Sequence, residues 1–136
     1  MEICHCWRLK RAAHHLNEFY DKALARRGVT ISQYGMLREI NQHGGCSVMD
    51  LAGYLDLERS TLTRSLKPPH EQNGFVSDCR ECHMRNCRLV LTAEGHKAFE
   101  EAHLLWQKAQ AAYEAALGTE GVRTLETLLA AIQQAT

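Results

Sequence analysis

Residues 47–92 constrain the fold more tightly than any other stretch, because two short helical patterns are followed at once by a hairpin pattern. The first helix is predicted at about Val48–Leu55, where apolar residues recur at the spacing of one buried helix face. Ser47 can cap this helix, since its hydroxyl can accept a hydrogen bond from a first-turn N–H group, and Asp50 favours the positive helix end. The predicted buried stripe consists of Met49, Leu51, Ala52 and Leu55.

A second helix is predicted from about Arg59 to Gln72, with Leu62 and Leu66 directed inward at i, i+4 spacing. Its outward face combines short hydroxyls with long cations, and no acidic residue lies between Arg59 and Lys67. Such a face suits the major groove of DNA, where Arg and Lys contact guanine edges or phosphates and Ser or Thr bonds to either. An ordinary solvated helix surface is the alternative interpretation. The outward residues are Arg59, Ser60, Thr61, Thr63, Arg64 and Lys67.

A hairpin is predicted next, because Phe75-Val76 and Leu89-Val90-Leu91 have the composition of strand ends. The residues between them include the cations Arg80, Arg85 and Arg88. A cationic hairpin beside a cationic helix provides two adjacent contacts for a DNA duplex. We expect Arg85, at the tip, to enter the minor groove, where narrow A·T-rich tracks concentrate negative potential. Phosphates would be held by Arg59 and Lys67, and bases read by Ser60, Thr61, Thr63 and Arg64.

Charge and composition exclude several classes of protein. The formal net charge is zero, but residues 59–88 carry six Lys or Arg against three Asp or Glu, whereas residues 89–136 carry three against six. This asymmetry favours a DNA-binding lobe joined to a packing lobe. The absence of a nucleophile–base pair or a glycine-rich phosphate loop argues against an enzyme. With no signal peptide and no apolar run near the roughly 20 residues of a membrane span, we expect a cytoplasmic protein without membrane contact.

Long helical patterns flank this central stretch. The first helix is predicted at about residues 5–27, and a capping-box pattern at Thr30 and Gln33 starts the next helix. After the hairpin, Thr92 starts a long helix that ends at Gly118, and a last helix follows it. The apolar faces of these flanking helices are longer than one small lobe can cover, which favours packing between two subunits over a bundle within one chain. A two-fold homodimer would read two half-sites about 34 Å apart, on a pseudo-palindromic operator.

Three segments carry a family resemblance: LAGYLDLERSTLTRSLKPPHEQNGFV (51–76), RLVLTAEG (88–95) and, upstream, LKRAAHHLNEFYDKALARRGVTISQYGMLREI (9–40). Together they resemble the MarR (multiple antibiotic resistance regulator) family of bacterial transcription factors over nearly the whole chain. Two differences from the family pattern stand out. His83-Met84-Arg85 stands where the family has Asp-x-Arg at the wing tip, and Asn73 is an additional residue after the recognition helix.

The residues and the resemblance together imply a mainly α fold, a winged helix-turn-helix with a two-stranded β wing and flanking dimerisation helices. Residues 1–136 would form a single domain, with a DNA-binding lobe at 28–92 and dimerisation helices at 1–27 and 93–136. The resemblance implies an intertwined homodimer that regulates transcription, most often as a repressor. A small molecule, a metal or an oxidant would modulate its affinity for DNA, and no cofactor is expected to be required for the fold.

Six cysteines without an export signal indicate free, reactive or metal-bound thiols. Three interpretations stay open for Cys79, Cys82 and Cys87, which lie in the predicted hairpin beside His83. They could bind zinc or another soft metal ion. Cys79 and Cys87 could face each other near disulfide distance and respond to oxidation. They could also be incidental free thiols.

Two further cysteines open the first helix in the sequence Cys4-His5-Cys6, a weaker pattern for a metal site. The resemblance adds that one branch of the family senses peroxides through a cysteine near its first helix, which Cys4 or Cys6 matches loosely. Cys46 is expected to be a small buried residue. The alternative function is a metal- or redox-binding protein that uses its winged helix for protein contacts.

Overall fold

The computed structural model describes residues 1–67, 69, 73–78 and 88–136, with the side chain of Lys67 left out. Three helices and an antiparallel hairpin follow one another between two longer helices, so the predicted winged helix-turn-helix is confirmed. The elements are α1 (His5–Leu24) with a 3-10 turn (Ala25–Arg27), α2 (Ile31–Gln42), α3 (Val48–Leu55), α4 (Arg59–Lys67), β1 (Val76–Asp78), β2 (Leu89–Leu91) and α5 (Ala93–Ala135).

Side-chain caps determine where the central helices begin. The Thr30 hydroxyl accepts a hydrogen bond from the Gln33 N–H at 3.1 Å, and the Gln33 side chain accepts one from the Thr30 N–H at 3.0 Å. Ser47 and Asp50 form the same reciprocal pair at the start of α3, at 3.0 and 3.2 Å. Thr92 caps α5 with its hydroxyl. Each cap satisfies N–H groups that a helix start would otherwise leave unpaired.

The apolar core lies among α2, α3, α4, the hairpin and the first turns of α5. It is continuous, since the inward stripes of these elements meet around α2, and it contains no buried polar or charged residue within the described part of the chain. The largest fully buried side chains include Leu24, Tyr34, Met36, Leu37, Ile40, Leu51, Leu62 and Leu89.

The hairpin is anchored to the loop between α2 and α3. β1 and β2 are antiparallel, with Asp78 opposite Leu89. The Leu89 N–H donates to the Cys46 carbonyl at 2.7 Å, and the Gly45 N–H donates to the Leu89 carbonyl at 3.1 Å. The loop thus pairs with β2 from the other side, which fixes the base of the wing relative to the helix-turn-helix.

The first turn of α5 lies in close contact with the start of the hairpin. The Thr92 N–H donates to the Phe75 carbonyl at 3.0 Å. A Cβ atom at Gly95 would lie 2.0 Å from the same carbonyl oxygen, so only glycine allows this approach. The glycine of the LTAEG segment therefore permits the contact between the lobe and α5.

Aromatic and polar side chains join α5 to α1 and α2. The Tyr20 hydroxyl is hydrogen-bonded to the Gln110 side chain, and the Tyr20 ring packs edge-on against Tyr113. Tyr34 stacks with Trp106 of α5 at 5.7 Å between ring centroids. The Tyr34 hydroxyl is hydrogen-bonded to Nδ1 of His103 at 2.7 Å, which joins α2 to α5.

One prediction for α3 was wrong. Met49 was predicted in the buried stripe of α3, but it is 71% exposed, and only Leu51 and Ala52 of that helix are buried. The second helix of the pair was predicted to reach Gln72; the structure describes it from Arg59 to Lys67, and residues 68 and 70–72 lie outside the described residues. Gly118 interrupts α5 with φ 78° and ψ 165°, where a helix end was predicted. Among the described helices, none combines the length and apolarity that a membrane crossing needs.

Candidate nucleic-acid interface

Helix α4 has two chemically distinct faces. Leu62 and Leu66 are buried in the core, as predicted. Because this apolar packing fixes the rotation of the helix about its axis, the opposite face has a defined direction toward solvent. The exposed residues on α4 are Arg59, Ser60, Thr63 and Arg64.

Thr61 differs from the other residues predicted to lie outside. It is half-buried and lines a crevice between α4 and α2, so it sits at the edge of the exposed face rather than within it. The Thr63 hydroxyl donates to the carbonyl of Arg59 at 2.8 Å, which leaves its oxygen free to accept a further hydrogen bond. The exposed face of α4 therefore presents two guanidinium groups together with hydroxyls.

The turn between α3 and α4 determines how α4 is presented. Asp56 adopts the left-handed conformation with φ 52°, and the Leu57 N–H donates to the Ala52 carbonyl at 2.9 Å. These features end α3 and redirect the chain within three residues, before Arg59 starts α4. In the sequence, Asp56 lies between the two predicted helices. Its residue type is a signal for this turn, because Asp tolerates the left-handed region better than most residues.

The base of the wing contributes Arg88. Its side chain is exposed, and Nη1 donates to the Gly45 carbonyl at 2.8 Å. Arg88 was predicted as a DNA contact, and the structure also gives it a role in tying the wing to the loop between α2 and α3. The other predicted wing cations, Arg80 and Arg85, lie outside the described residues, as does the side chain of Lys67.

The cysteines, together with His83, fall into three groups. Cys4 and Cys6 are exposed at the start of α1. Cys46 is buried, as expected, and its burial, together with the nearby Asp50 carboxylate, raises the pKa of its thiol. Within the described ranges no group of three or more His, Cys, Asp or Glu residues is placed to hold a metal ion. The predicted wing cluster lies outside those ranges and consists of Cys79, Cys82, His83 and Cys87.

Comparison with known proteins adds independent support for the family. A sequence model of the MarR family matches residues 29–77. The HTH-type transcriptional regulator BilQ of Clostridium symbiosum (strain WAL-14163) is 30% identical over 112 residues, which cover 82% of this chain and 77% of that protein.

Solved structures show the same similarity over the full length. The M. tuberculosis transcriptional regulator MosR superposes with a TM-score of 0.81 at 32% identity, over 99% of this chain and 98% of MosR. MosR in complex with DNA gives a TM-score of 0.81 at 33% identity, over 98% of both chains. Taken with the helix-turn-helix and the wing, these similarities show that the chain belongs to the MarR family of transcriptional regulators.

Proposed function

We propose that the protein is a homodimeric regulator that binds double-stranded DNA in a sequence-specific manner and acts as a repressor. The observation that carries this proposal is the exposed face of α4, where Arg59 and Arg64 stand among hydroxyls on a helix held by Leu62 and Leu66. Guanidinium groups pair with guanine edges and phosphates, and hydroxyls bond to several base edges. The DNA complex of the related MosR supports this assignment.

In the proposed interface, Arg64 reads bases from the middle of α4, together with Ser60, Thr61 and Thr63. Arg59 and Lys67 hold phosphates at the two ends of the helix, and Arg80, Arg85 and Arg88 supply cations from the wing. Phosphate contacts set the register of the protein on the duplex, whereas base contacts confer specificity. This division predicts different responses to salt for the two groups of residues.

The proposed homodimer rests on the two ends of the chain, which we term the helical arms (residues 1–16 and 118–136). No residue of either arm is buried within the single chain. Trp7 and Leu128 are 65% and 55% exposed, and an apolar groove lined by Ile3, Leu9 and Ile132 runs between the arms. Apolar surface of this extent marks an interface. A second copy of the chain is the proposed partner, since a dimer also places two copies of α4 on successive turns of DNA.

The DNA affinity is proposed to respond to a small ligand, a soft metal ion such as zinc, or thiol oxidation. Cys6 and Ile132 both line the groove between the arms, so oxidation at Cys4 or Cys6 would act where the subunits are proposed to meet. Cys79, Cys82, Cys87 and His83 of the wing are the other proposed candidates for metal binding or thiol oxidation. The alternative function in protein contacts is not favoured by the exposed face of α4, which carries no aromatic residue.

The test is a titration of the gene's own promoter fragment at two salt concentrations. Arg64→Ala should weaken specific binding by about 1–3 kcal/mol, or roughly 5- to 150-fold in Kd, with a smaller effect on unrelated DNA. Arg85→Ala should also reduce the salt slope by about one.

Lys108→Ala is the matched control, because Lys108 is an exposed cation of α5 that lies outside residues 28–92 and outside the helical arms. It should change the Kd by less than about twofold, since a substitution on the surface away from the proposed contacts has a small effect. Unchanged binding in both Arg64→Ala and Arg85→Ala would exclude the proposed interface.

A further inference from the structure

The lobe carries a second exposed surface on α3, on the side of the helix that is turned away from the core. Met49 and Gly53 are four residues apart and therefore neighbours on the helix surface, as are Asp50 and Tyr54. All four residues are exposed, and we term the surface that they form the α3 face. It combines a long apolar side chain, an aromatic ring and a carboxylate around a glycine.

The end of α2 holds the Tyr54 ring in place. Tyr54 stacks on His43 with 4.1 Å between the ring centroids and 22° between the ring planes. His43 Nε2 in turn lies 3.5 Å from Glu39 Oε2. An exposed ring that is already ordered loses little conformational entropy when a partner binds, and tyrosine is enriched at protein interfaces. The α3 face therefore offers an ordered aromatic contact.

Gly53 is a glycine that the described part of the chain does not require. Its φ is not positive, and a Cβ atom at this position would meet no atom within 4 Å. Glycine within a helix is less favourable than alanine, so Gly53 weakens α3 without a contact in the described residues that explains it. Glycine also lets another molecule come close to the backbone. Its place beside Met49 therefore favours a surface on which a partner packs closely.

The charge of the lobe changes sign between α3 and α4. Residues 48–58 include three acidic residues and no Lys or Arg, whereas residues 59–67 include three cations and no acidic residue. Asp50 lies on the α3 face, and Asp56 and Glu58 are exposed directly after the helix. Carboxylates at these places repel phosphates and attract cations. The α3 face thus suits a basic partner and does not suit DNA.

Arg88 is a cation close to one end of this surface. Hydrogen bonds with Ser47 lower the pKa of Asp50, and the Arg88 guanidinium contributes to the same shift. The Arg88 side chain also donates to the Gly45 carbonyl at 2.8 Å, which holds it at the base of the wing. The opposite end of α3, at Asp56, keeps its negative charge for a partner.

We propose that the α3 face docks a basic amphipathic helix of another protein. An apolar residue of that helix packs on Met49 above Gly53, and the Tyr54 ring borders the contact. Lys or Arg side chains of the partner lie beside Asp56 and Glu58, because opposite charges across an interface select the partner and fix its register. This docking goes beyond the proposed function and does not depend on DNA binding.

The binding test uses two synthetic helical peptides of roughly 16 residues, a length at which a helix can form. Both carry Leu and Trp on one face; one carries Lys at the flanking positions, and its twin carries Glu there. Fluorescence anisotropy with the full chain should give at least about tenfold tighter binding of the Lys peptide, and this affinity should fall as salt rises. Equal affinity for the two peptides would overturn the proposal.

Gly53→Leu fills the place of the partner without a clash in the described chain. It should weaken binding of the Lys peptide at least about tenfold, because its side chain collides with the docked helix. Its melting temperature should stay the same or rise, since Leu favours a helix more than Gly does. Ala111→Leu is the matched control at an exposed position of α5, and it should change the affinity by less than about twofold.

A second variant, Asp56→Asn combined with Glu58→Gln, removes charge without adding bulk. Asn tolerates the left-handed conformation of residue 56, so the turn between α3 and α4 is kept. This variant should weaken binding of the Lys peptide about three- to tenfold and flatten its salt dependence. Unchanged binding in this variant or in Gly53→Leu would refute the docking surface.

Two further measurements distinguish a protein partner from DNA and from a second copy of the chain. Gly53→Leu should change the Kd for the promoter fragment by less than about twofold, and a large loss would assign the α3 face to DNA instead. Association beyond a dimer that Gly53→Leu abolishes, measured by light scattering, would assign the face to another copy and also overturn the proposal. A protein that binds the Lys peptide but no DNA refutes the proposed function and leaves the docking surface standing.

Discussion

The winged lobe (residues 28–92) and the helical arms differ in how far their apolar side chains are buried. In the lobe, Leu37, Leu51 and Leu62 are completely buried in the core that α2, α3 and α4 share. In the arms, Trp7 and Leu128 remain more than half exposed, although both lie on regular helices. The lobe thus completes its core within one chain, whereas the apolar side chains of the arms stay exposed within it. This difference predicts which substitutions alter folding and which alter association.

The largest expected effect is on association through the arms. Leu128→Asp combined with Ile132→Asp should weaken dimerisation by at least about 100-fold, because each buried Leu or Ile contributes roughly 1.5–3 kcal/mol and each is lost from both subunits. Light scattering over a dilution series should give twice the 15.4 kDa chain mass for the original protein and one chain mass for the variant.

Met49→Asp is the control for this variant, because Met49 is an exposed apolar residue on the lobe. It should leave the measured mass at twice that of one chain. An original protein that scatters as a single chain at every concentration would contradict the proposed role of the arms.

The second effect concerns the core of the lobe. Leu62→Ala should lower the free energy of unfolding by about 3 kcal/mol, because it leaves a cavity beneath α4 where the side chain is completely buried. Leu104→Ala, at a position that is 63% exposed, should change it by less than about 0.5 kcal/mol. Urea unfolding at two protein concentrations measures both variants. Similar losses in the two variants would mean that the burial within one chain does not describe the folded lobe.

The third effect is at the junction between the lobe and α5. Gly95→Ala should destabilise the protein by about 2 kcal/mol, because the added Cβ collides with the Phe75 backbone rather than with a movable side chain. Gly53→Ala should instead stabilise by up to about 1 kcal/mol, since it improves helix propensity in open space. Thermal unfolding compares the signs of the two changes, and a stabilising Gly95→Ala would refute the close contact.

Local signals predicted much of the lobe. The bounds of α3 and its Ser47 cap agree with the structure, since the cap, the charge of Asp50 and the apolar spacing all act within one turn of the chain. The buried face of α3 was predicted less accurately than its bounds, because an eight-residue helix has too few repeats of the apolar spacing to distinguish the buried face from the adjacent faces. Met49 was placed on the wrong side for this reason.

Contacts between distant segments could not be read from the sequence. The glycine of LTAEG was recognised as part of a motif. Glycine is needed there because the Phe75 carbonyl, about twenty residues earlier in the chain, leaves no room for a Cβ atom. Arg88 was identified as a cation, but its bond to the Gly45 carbonyl depends on how β2 pairs with the loop before α3. The half-buried position of Thr61 depends on α2. The roles assigned to the wing cysteines stay predictions.

The smallest expected effect on the unfolding free energy is at the helix starts, which differ between the lobe and the arms. The Ser47 hydroxyl caps α3, whereas Cys4, the residue before α1, makes no side-chain capping hydrogen bond. Ser47→Ala should therefore cost about 1 kcal/mol of unfolding free energy. Cys4→Ala should change the unfolding free energy by less than about 0.3 kcal/mol, because no cap is lost there. Equal costs in the two variants, measured by urea unfolding, would remove this distinction between lobe and arm.

The pH dependence of the Ser47→Ala variant tests whether the lost cap is the cause of its lower stability. Hydrogen bonds from the Ser47 backbone and side chain lower the pKa of Asp50 in the folded protein. A lowered folded-state pKa contributes stability above the unfolded value of about 3.9, and this contribution is lost as the pH falls through the folded-state value. The difference between the original protein and Ser47→Ala should be constant near neutral pH and should shrink below about pH 4. A difference that grows in acid would mean that Ser47 stabilises α3 by some other contact than its reciprocal pair with Asp50.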